Sequence, residues 1–181
     1  MTNAYDVYIE TSAVLSWLLG VPCCDWVKSV IDSAGAVYTS RLTIAESEIG
    51  LRRAESRGDI TPGNRRQLLD LLSEQRKEWH LVEMFDEILD RAGQLRSVDP
   101  LRTVDALQLA TALALRDGIG GLGAMPNLRL FGVDRHLRQH AEALSIPQPP
   151  DRRLEARRRV PERRHEARAQ FDRRMNDRRA A

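Results

Sequence analysis

Four acidic residues stand where predicted strands end or predicted helices begin: Glu10, Glu46, Asp105 and Asp134. Glu10 directly follows the apolar run 7–9, and Asp134 directly follows a predicted strand over 128–133. The carboxyl ends of parallel strands meet at one edge of an open α/β sheet, which is where such sheets bind their ligands. We therefore expect the four carboxylates to converge on that edge.

A cluster of this kind has a predictable chemistry. Crowded carboxylates repel one another and resist ionisation unless a positive charge lies between them. Oxygen ligands without Cys or His favour Mg²⁺ or Mn²⁺ over zinc, and Mg²⁺ commonly takes only one or two carboxylates directly and keeps several waters. The pattern predicts a site for Mg²⁺ or Mn²⁺.

Each carboxylate also has a structural interpretation. Asp134 precedes a predicted helix and is typical of an N-cap, while Asp105 in a first helical turn is favoured by the helix dipole. Glu46 can pair with Thr43 in a capping box. Glu10 has the weakest structural reason, because a Ser or Thr would cap the following helix equally well.

Three hydroxyl side chains lie beside the predicted site, at Thr11, Ser12 and Ser40. Their hydroxyls are candidates for hydrogen bonds to a phosphate or to the carboxylates. The alternative is that they cap helices, which the sequence favours for Ser12.

Hydrophobic patterning positions these residues on alternating strands and helices. Strands are predicted over 7–9, 36–39, 81–84 and 128–133, and helices over 12–19, 24–33, 43–57, 62–79, 86–95, 102–116 and 135–144. Thr61 and Pro62 favour the start of the fourth helix as its cap and first residue. The alternation indicates an α/β fold with a parallel sheet.

Composition narrows the class of protein. The 181 residues are 42% hydrophobic and 30% charged, which is typical of a soluble globular domain. The two cysteines, Cys23 and Cys24, are adjacent and predict no disulfide framework. No apolar run approaches the roughly 20 residues of a membrane span, so we expect a cytoplasmic protein without a membrane partner.

Charge divides the chain at a proline cluster, Pro147, Pro149 and Pro150. Residues 151–181 hold 12 arginines beside 6 acidic residues and few apolar ones, whereas the preceding part is net acidic. We expect a domain over 1–147 and an Arg-rich, disordered or partly helical tail over 148–181. Contact with nucleic-acid phosphates, binding of an acidic partner and a purely solvated extension remain open for this tail.

Four segments carry a family resemblance: VYIETSAVLSWLL, YTSRLTIAESEIGLRRA, LRTVDALQLATALAL and LRLFGVDRHLRQHAEAL. In order and spacing, over residues 5–146, they resemble the motif blocks of the PIN domain, in particular the VapC-type toxin ribonucleases. The resemblance implies a three-layer α/β fold with a short parallel sheet flanked by helices. It also implies an endoribonuclease dependent on Mg²⁺ or Mn²⁺, silenced by a cognate antitoxin protein and commonly a homodimer.

The same resemblance implies the roles of the site residues. The family's four catalytic carboxylates fall on Glu10, Glu46, Asp105 and Asp134, with Glu10, Asp105 and Asp134 as metal ligands. Glu46 would orient the attacking water, and the phosphodiester of an RNA substrate would be hydrolysed in line.

The chain departs from the family pattern at three positions. Glu10 replaces the family Asp, Gly132 replaces a Thr or Ser, and Gln108 replaces a common His. Because Glu is one methylene longer, the first departure leaves a second hypothesis open, a catalytically weakened or silent PIN-fold module that binds RNA or protein. A third class, a metal-dependent phosphatase, would want an Asp-x-Asp pair after the first strand, which is missing here.

Overall fold

A computed structural model describes residues 5–21, 24–98 and 101–149. Within them lie four strands, β1 (Val7–Ile9), β2 (Val37–Ser40), β3 (His80–Val82) and β4 (Arg129–Phe131). The helices are α1 (Thr11–Leu18), α2 (Cys24–Ser33), α3 (Arg41–Ser56), α4 (Pro62–Gln75), α5 (Asp86–Val98), α6 (Thr103–Asp117) and α7 (Arg135–Ala143). The tail predicted over 148–181 lies outside the described residues from position 150 onward.

The four strands form one parallel sheet in the order β3-β2-β1-β4. The chain adds β2 and β3 on one side of β1 and then returns to place β4 on the other side. The strand order therefore reverses between β1 and β4, and the carboxyl ends at such a switch point open a crevice that binds ligands.

Helices cover both faces of the sheet, so the fold has three layers. Alternate residues of β1 point to opposite faces, with Tyr8 packed among α5, α6 and α7, and Val7 and Ile9 packed among α1 to α4. All three are fully buried. The expected α/β architecture with a parallel sheet flanked by helices is confirmed.

Three helix boundaries differ from the sequence prediction by two residues or more: the start of α3, the end of α4 and the end of α5, which reaches Val98 instead of residue 95. α3 begins at Arg41 and is capped by Ser40, whose Oγ accepts from Thr43 N at 3.2 Å, so the Thr43–Glu46 capping box is wrong. The box does not form because tertiary contacts take up both side chains: Thr43 bonds to Gln108 of α6, and Glu46 bonds to side chains of α1 and α6. α4 ends at Gln75 instead of near Trp79, which is buried and packs its ring against Trp17 at 6.3 Å between centroids.

The start of α4 agrees with the prediction. Thr61 Oγ1 accepts from Asn64 N at 3.1 Å, Asn64 Oδ1 accepts from Thr61 N at 3.3 Å, and Pro62 is the first helical residue. None of the helices in the described part of the chain has the length and apolar character to cross a membrane.

Candidate active site

Glu10 and Asp134 lie at the switch point between β1 and β4. Ile9 pairs with Phe131 in the parallel register, and Glu10 N donates to Phe131 O at 3.0 Å. Glu10 is the first residue after β1, and Asp134 follows β4 by three residues. The sheet thus brings two of the predicted carboxylates to one edge.

Glu10 is 4% exposed and caps α1. Its carboxylate accepts from Ser12 N at 2.8 Å, from Ala13 N at 3.2 Å and from Ser12 Oγ. Glu10 therefore has a structural role as the cap of α1, although its position in the sequence offers the weakest structural reason of the four acids. The longer Glu arm folds back onto the helix start, where free N–H groups and the helix dipole favour a carboxylate.

Burial raises the pKa of Glu10 to about 7, because removal from water penalises the charged form more than the hydrogen bonds from Ser12 and Ala13 favour it. The negative charge of Asp134 raises the pKa further. A proton or a cation near Glu10 is favoured by this environment.

Ser12 joins the ends of β1 and β4. Its Oγ donates to Glu10 and accepts from Val133 N at 2.9 Å and from Asp134 N at 3.0 Å. The sequence favours a capping role for Ser12, whereas its hydroxyl bonds to the Glu10 carboxylate, which is the other alternative. Through Ser12, the Glu10 carboxylate is connected to the turn that carries Asp134.

Glu46 is held by side chains from two other helices. Thr11 Oγ1 donates to Glu46 Oε2 at 2.6 Å, and Gln108 Nε2 donates to the same oxygen at 3.2 Å. Glu46 is partly buried, and its described hydrogen bonds all fall on Oε2. One carboxylate oxygen is therefore anchored by α1 and α6, which fixes the orientation of the other.

Gln108 is 1% exposed and lies at the centre of this polar network. Its Nε2 lies 3.1 Å from the hydroxyl oxygens of both Thr11 and Thr43, and its Oε1 accepts from Tyr8 OH at 2.5 Å. An ionised Glu46 can only accept, so the amide nitrogen must face it and the Tyr8 hydroxyl must donate to the amide oxygen. In the sequence, Gln108 stands out only as a departure from a family pattern. A polar residue inside an otherwise apolar helix was the available signal.

Asp105 stands in the first turn of α6, and its pKa is raised by partial burial first and then by the negative charges of Asp134 and Glu46. The positive charges of Arg102 and His140 act in the opposite direction. Asp105 is thus close enough to two other predicted carboxylates to sense their charge.

Asp134 caps α7, and its Oδ1 accepts from His136 N at 2.8 Å and from Leu137 N at 3.1 Å. Only one carboxylate oxygen takes part in these capping bonds. Ser40 is buried, caps α3 through Thr43 N and lies 3.3 Å from Thr43 Oγ1, which matches the structural interpretation of this serine.

The donor set suits a hard divalent cation in kind, because it contains carboxylate and hydroxyl oxygens and its acids lie within electrostatic reach of one another. Across residues 5–21, 24–98 and 101–149, no three His, Cys, Asp or Glu side chains converge closely enough to form a ready cage for a metal ion. A cation held by one or two carboxylates and water needs no such cage.

Comparison with known families identifies a PIN domain. The model of the PIN domain family matches residues 7–119, more than half of the chain. That segment contains β1 to β3, α1 to α6 and the three acids Glu10, Glu46 and Asp105, whereas Asp134 lies beyond it.

Two solved structures share the fold. A toxin-antitoxin complex from Klebsiella pneumoniae is 17% identical with a TM-score of 0.50, over 68% of this chain and 82% of that chain. VapC20 from Mycobacterium tuberculosis, described as a sarcin-ricin loop cleaving toxin, is 14% identical with a TM-score of 0.53, over 74% of this chain and 94% of that chain. No curated protein matches the chain.

Proposed function

The chain belongs to the PIN domain family, and from that premise we propose that it is an endoribonuclease dependent on Mg²⁺ or Mn²⁺ and the toxin of a toxin–antitoxin pair. The observation that carries the proposal is that Glu10 and Asp134 lie at the switch point of the sheet, with Asp105 and Glu46 in electrostatic reach. Asp134 interacts through its charge with Glu10 and with Asp105, and Asp105 interacts in the same way with Glu46. Glu10 is buried, Glu46 and Asp105 are partly buried, and Asp134 is exposed. Mutually repelling acids with raised pKa values are typical of a functional site.

In this proposal Glu10, Asp105 and Asp134 hold the cation, one or two of them directly and the rest through bound water. When bound, a divalent cation polarises a phosphodiester oxygen and lowers the pKa of water. The raised pKa values of Glu10 and Asp105 fit this role. Burial first and the neighbouring negative charges second penalise the charged carboxylates, and a positive charge would favour them. Asp134 keeps one oxygen outside its capping bonds for the same purpose.

Glu46 is the residue that orients the attacking water and accepts its proton. Thr11 and Gln108 anchor Oε2, so Oε1 is presented in a fixed direction without rotation of the carboxylate. Thr11 is consequently a positioning residue, and Ser12 is another, because it fixes the turn of Asp134. Hydrolysis proceeds in line and leaves no covalent bond to the protein.

The proposed partners are an RNA substrate, a cognate antitoxin and a second copy of the chain as a homodimer. One of the structural neighbours is a toxin–antitoxin complex, and the other is described as a toxin that cleaves the sarcin-ricin loop. These properties belong to those proteins, and their shared fold supports extending them to this chain as a proposal.

A cleavage assay tests the proposed activity. Purified full-length protein, freed of any partner, is incubated with a mixed structured RNA in Mg²⁺, in Mn²⁺ and in EDTA. We expect cutting that EDTA abolishes and that Asp105→Asn lowers by about 100-fold or more, since that substitution removes a charged ligand. The matched control is Asp90→Asn on the exposed side of α5, which should cut like the unaltered protein.

A second candidate function is a silent PIN-fold module that binds RNA or protein. Two observations favour it: the Glu10 carboxylate is already engaged as a helix cap, and the described acids form no ready cage. If the unaltered protein cuts no RNA and Glu10→Asp does, the second candidate is correct. If neither protein cuts, the metal site itself is refuted.

A further inference from the structure

Gly132 lies directly beside Glu10 in the sheet. The parallel register pairs Ile9 with Phe131, so the next residue of each strand is Glu10 on one side and Gly132 on the other. Gly132 is buried and is the first residue after β4. The two residues meet where the strand order reverses.

A side chain at position 132 would collide with Glu10. An ideal Cβ there lies 2.4 Å from Oε1 and 2.9 Å from both Cδ and Cγ of Glu10, and these are its three nearest neighbours. Real Cβ atoms essentially never approach other atoms this closely. The space that a Cβ would fill is the space that the Glu10 arm occupies.

The backbone at Gly132 does not itself require glycine. Its φ is not positive, in contrast to the φ of Gly20, Gly58, Gly118, Gly120 and Gly121. An L-residue could adopt the conformation without strain. The obstacle to a side chain is therefore the Glu10 arm.

We propose that Gly132 is the positioning residue for Glu10. Because Gly132 has no side chain, the Glu10 side chain has room to fold back onto Ser12 and the start of α1. The inference rests on the proposed function only where it links this position to metal binding. A Cβ at position 132 displaces the Glu10 carboxylate from Ser12 and Ala13, which are its described hydrogen-bond donors. Ser12 then loses its link between Glu10 and the Asp134 turn.

A double-mutant cycle on the metal-free full chain tests the packing. Gly132→Ala is measured by urea unfolding in EDTA in three backgrounds: Glu10, Glu10→Gln, which keeps the arm length, and Glu10→Ala, which removes Cγ, Cδ and the oxygens. Contacting residues typically couple by a few-fold to about 100-fold in the unfolding equilibrium constant. We expect Gly132→Ala to raise that constant about ten-fold with Glu or Gln at position 10 and by less than about two-fold with Ala.

The matched control is Gly123→Ala, because a Cβ at Gly123 meets nothing within 4 Å and its φ is also not positive. It should behave identically in all three backgrounds. An equal cost of Gly132→Ala in every background, or no cost beside Glu10, overturns the proposal. If Gly132→Ala folds only in the Glu10→Ala background, the proposal is supported. If it folds in none of the three backgrounds, the proposal is overturned.

Binding of Mn²⁺ alone, followed by electron paramagnetic resonance, supplies the readout that a purely structural role would not move. We expect Gly132→Ala to weaken Mn²⁺ binding about as much as Glu10→Ala does, and the double variant to be no weaker than Glu10→Ala. Unchanged affinity in Gly132→Ala overturns the proposal. If the unaltered protein binds no Mn²⁺, the proposed metal dependence fails, and the unfolding cycle alone decides the inference.

Discussion

Gln108 donates a hydrogen bond from its amide nitrogen to Glu46 Oε2 at 3.2 Å, which joins α6 to α3 beneath the carboxylate edge of the sheet. The same amide accepts from the buried hydroxyl of Tyr8 in β1. A single side chain thus connects the central strand to a proposed catalytic acid. Buried polar networks of this kind fix one arrangement when every member is satisfied and are costly when one member is lost.

Replacement of Gln108 by Leu should therefore damage both stability and activity. Leu leaves Glu46 with Thr11 as its described donor and removes the acceptor of the Tyr8 hydroxyl. A buried polar group left without its partner costs about 1–3 kcal/mol. We expect the free energy of unfolding to fall by about that amount in urea denaturation, and RNA cleavage to fall because Oε1 of Glu46 loses its fixed direction.

Tyr8→Phe is the companion variant. Removing both partners of a buried hydrogen bond can be nearly neutral, whereas removing one leaves the other unsatisfied. Tyr8→Phe should consequently recover part of the stability lost in Gln108→Leu. Strict additivity of the two losses would contradict the network.

Ser12→Ala tests the link between the two strand ends. The alanine removes the acceptor of Val133 N and Asp134 N as well as a donor to Glu10. We expect a loss of about 1–2 kcal/mol in unfolding free energy. Amide exchange at Val133 and Asp134, followed by NMR, should rise.

Ser56→Ala is the control for that variant, because its exposed hydroxyl bonds only locally to Arg52 O in α3. It should leave the exchange of Val133 and Asp134 unchanged. Unaltered exchange at these two amides in Ser12→Ala would show that Ser12 does not hold the turn.

Much of the fold follows from local pattern. The short strand 7–9 and the helix 24–33 agree with the structure in both bounds, because a fully apolar run and a strong amphipathic period leave few alternatives. The edge at which the acids gather follows from the rule for parallel strands. Those inferences need only near neighbours in the sequence.

The remaining features depend on distant partners. Tyr8 and Gln108 are 100 residues apart, and no local pattern pairs them. The spacing of Glu46 fits a capping box, but in the folded chain its carboxylate accepts hydrogen bonds from Thr11 and Gln108. The cap formed by Glu10 requires the register that sets Gly132 beside it, which strand prediction alone does not supply.

The pH dependence of stability should include a contribution from Asp117. Arg116 and Arg91 donate to this carboxylate at 2.6 and 2.7 Å and lower its pKa, and the Arg91 bond joins α5 to α6. A pKa that is lower in the folded state means that the stabilisation is complete above the unfolded value near 3.8 and is lost as the pH falls through the folded value. The side chain is 31% exposed, so the effect should stay below about 1 kcal/mol.

Asp117→Asn measures that contribution directly. Its unfolding free energy should lie below that of the unaltered protein by a constant amount from pH 5 to pH 8, and the difference should shrink as the pH falls below about 4. Arg91→Gln added to Asp117→Asn should cost less than it does alone, because its partner charge is already gone. If the difference in unfolding free energy grew toward low pH, the pKa of Asp117 would be raised by folding and the prediction would be wrong.

Gly50 sits in the middle of α3 where that helix meets α1, so the same Gly→Ala change should have opposite effects at positions 50 and 93. A Cβ on Gly50 would lie 2.6 and 2.8 Å from the two methyl carbons of Leu15, whereas a Cβ on Gly93 in α5 meets nothing within 4 Å. Alanine gains about 1 kcal/mol over glycine inside a helix, and overpacking costs about 1–3 kcal/mol. Gly93→Ala should therefore stabilise the protein, and Gly50→Ala should destabilise it in urea unfolding.

The cause assigned to the loss at Gly50 can be isolated by shortening its neighbour. In a Leu15→Ala background the two methyl carbons are gone, so Gly50→Ala should become neutral or stabilising, as Gly93→Ala is. Because α1 carries Thr11 and α3 carries Glu46, the clash should also lengthen their 2.6 Å hydrogen bond and lower cleavage in Gly50→Ala but not in Gly93→Ala. Equal gains in stability from Gly50→Ala and Gly93→Ala would mean that the Leu15 side chain moves aside without cost and that α1 and α3 are not closely packed at this point.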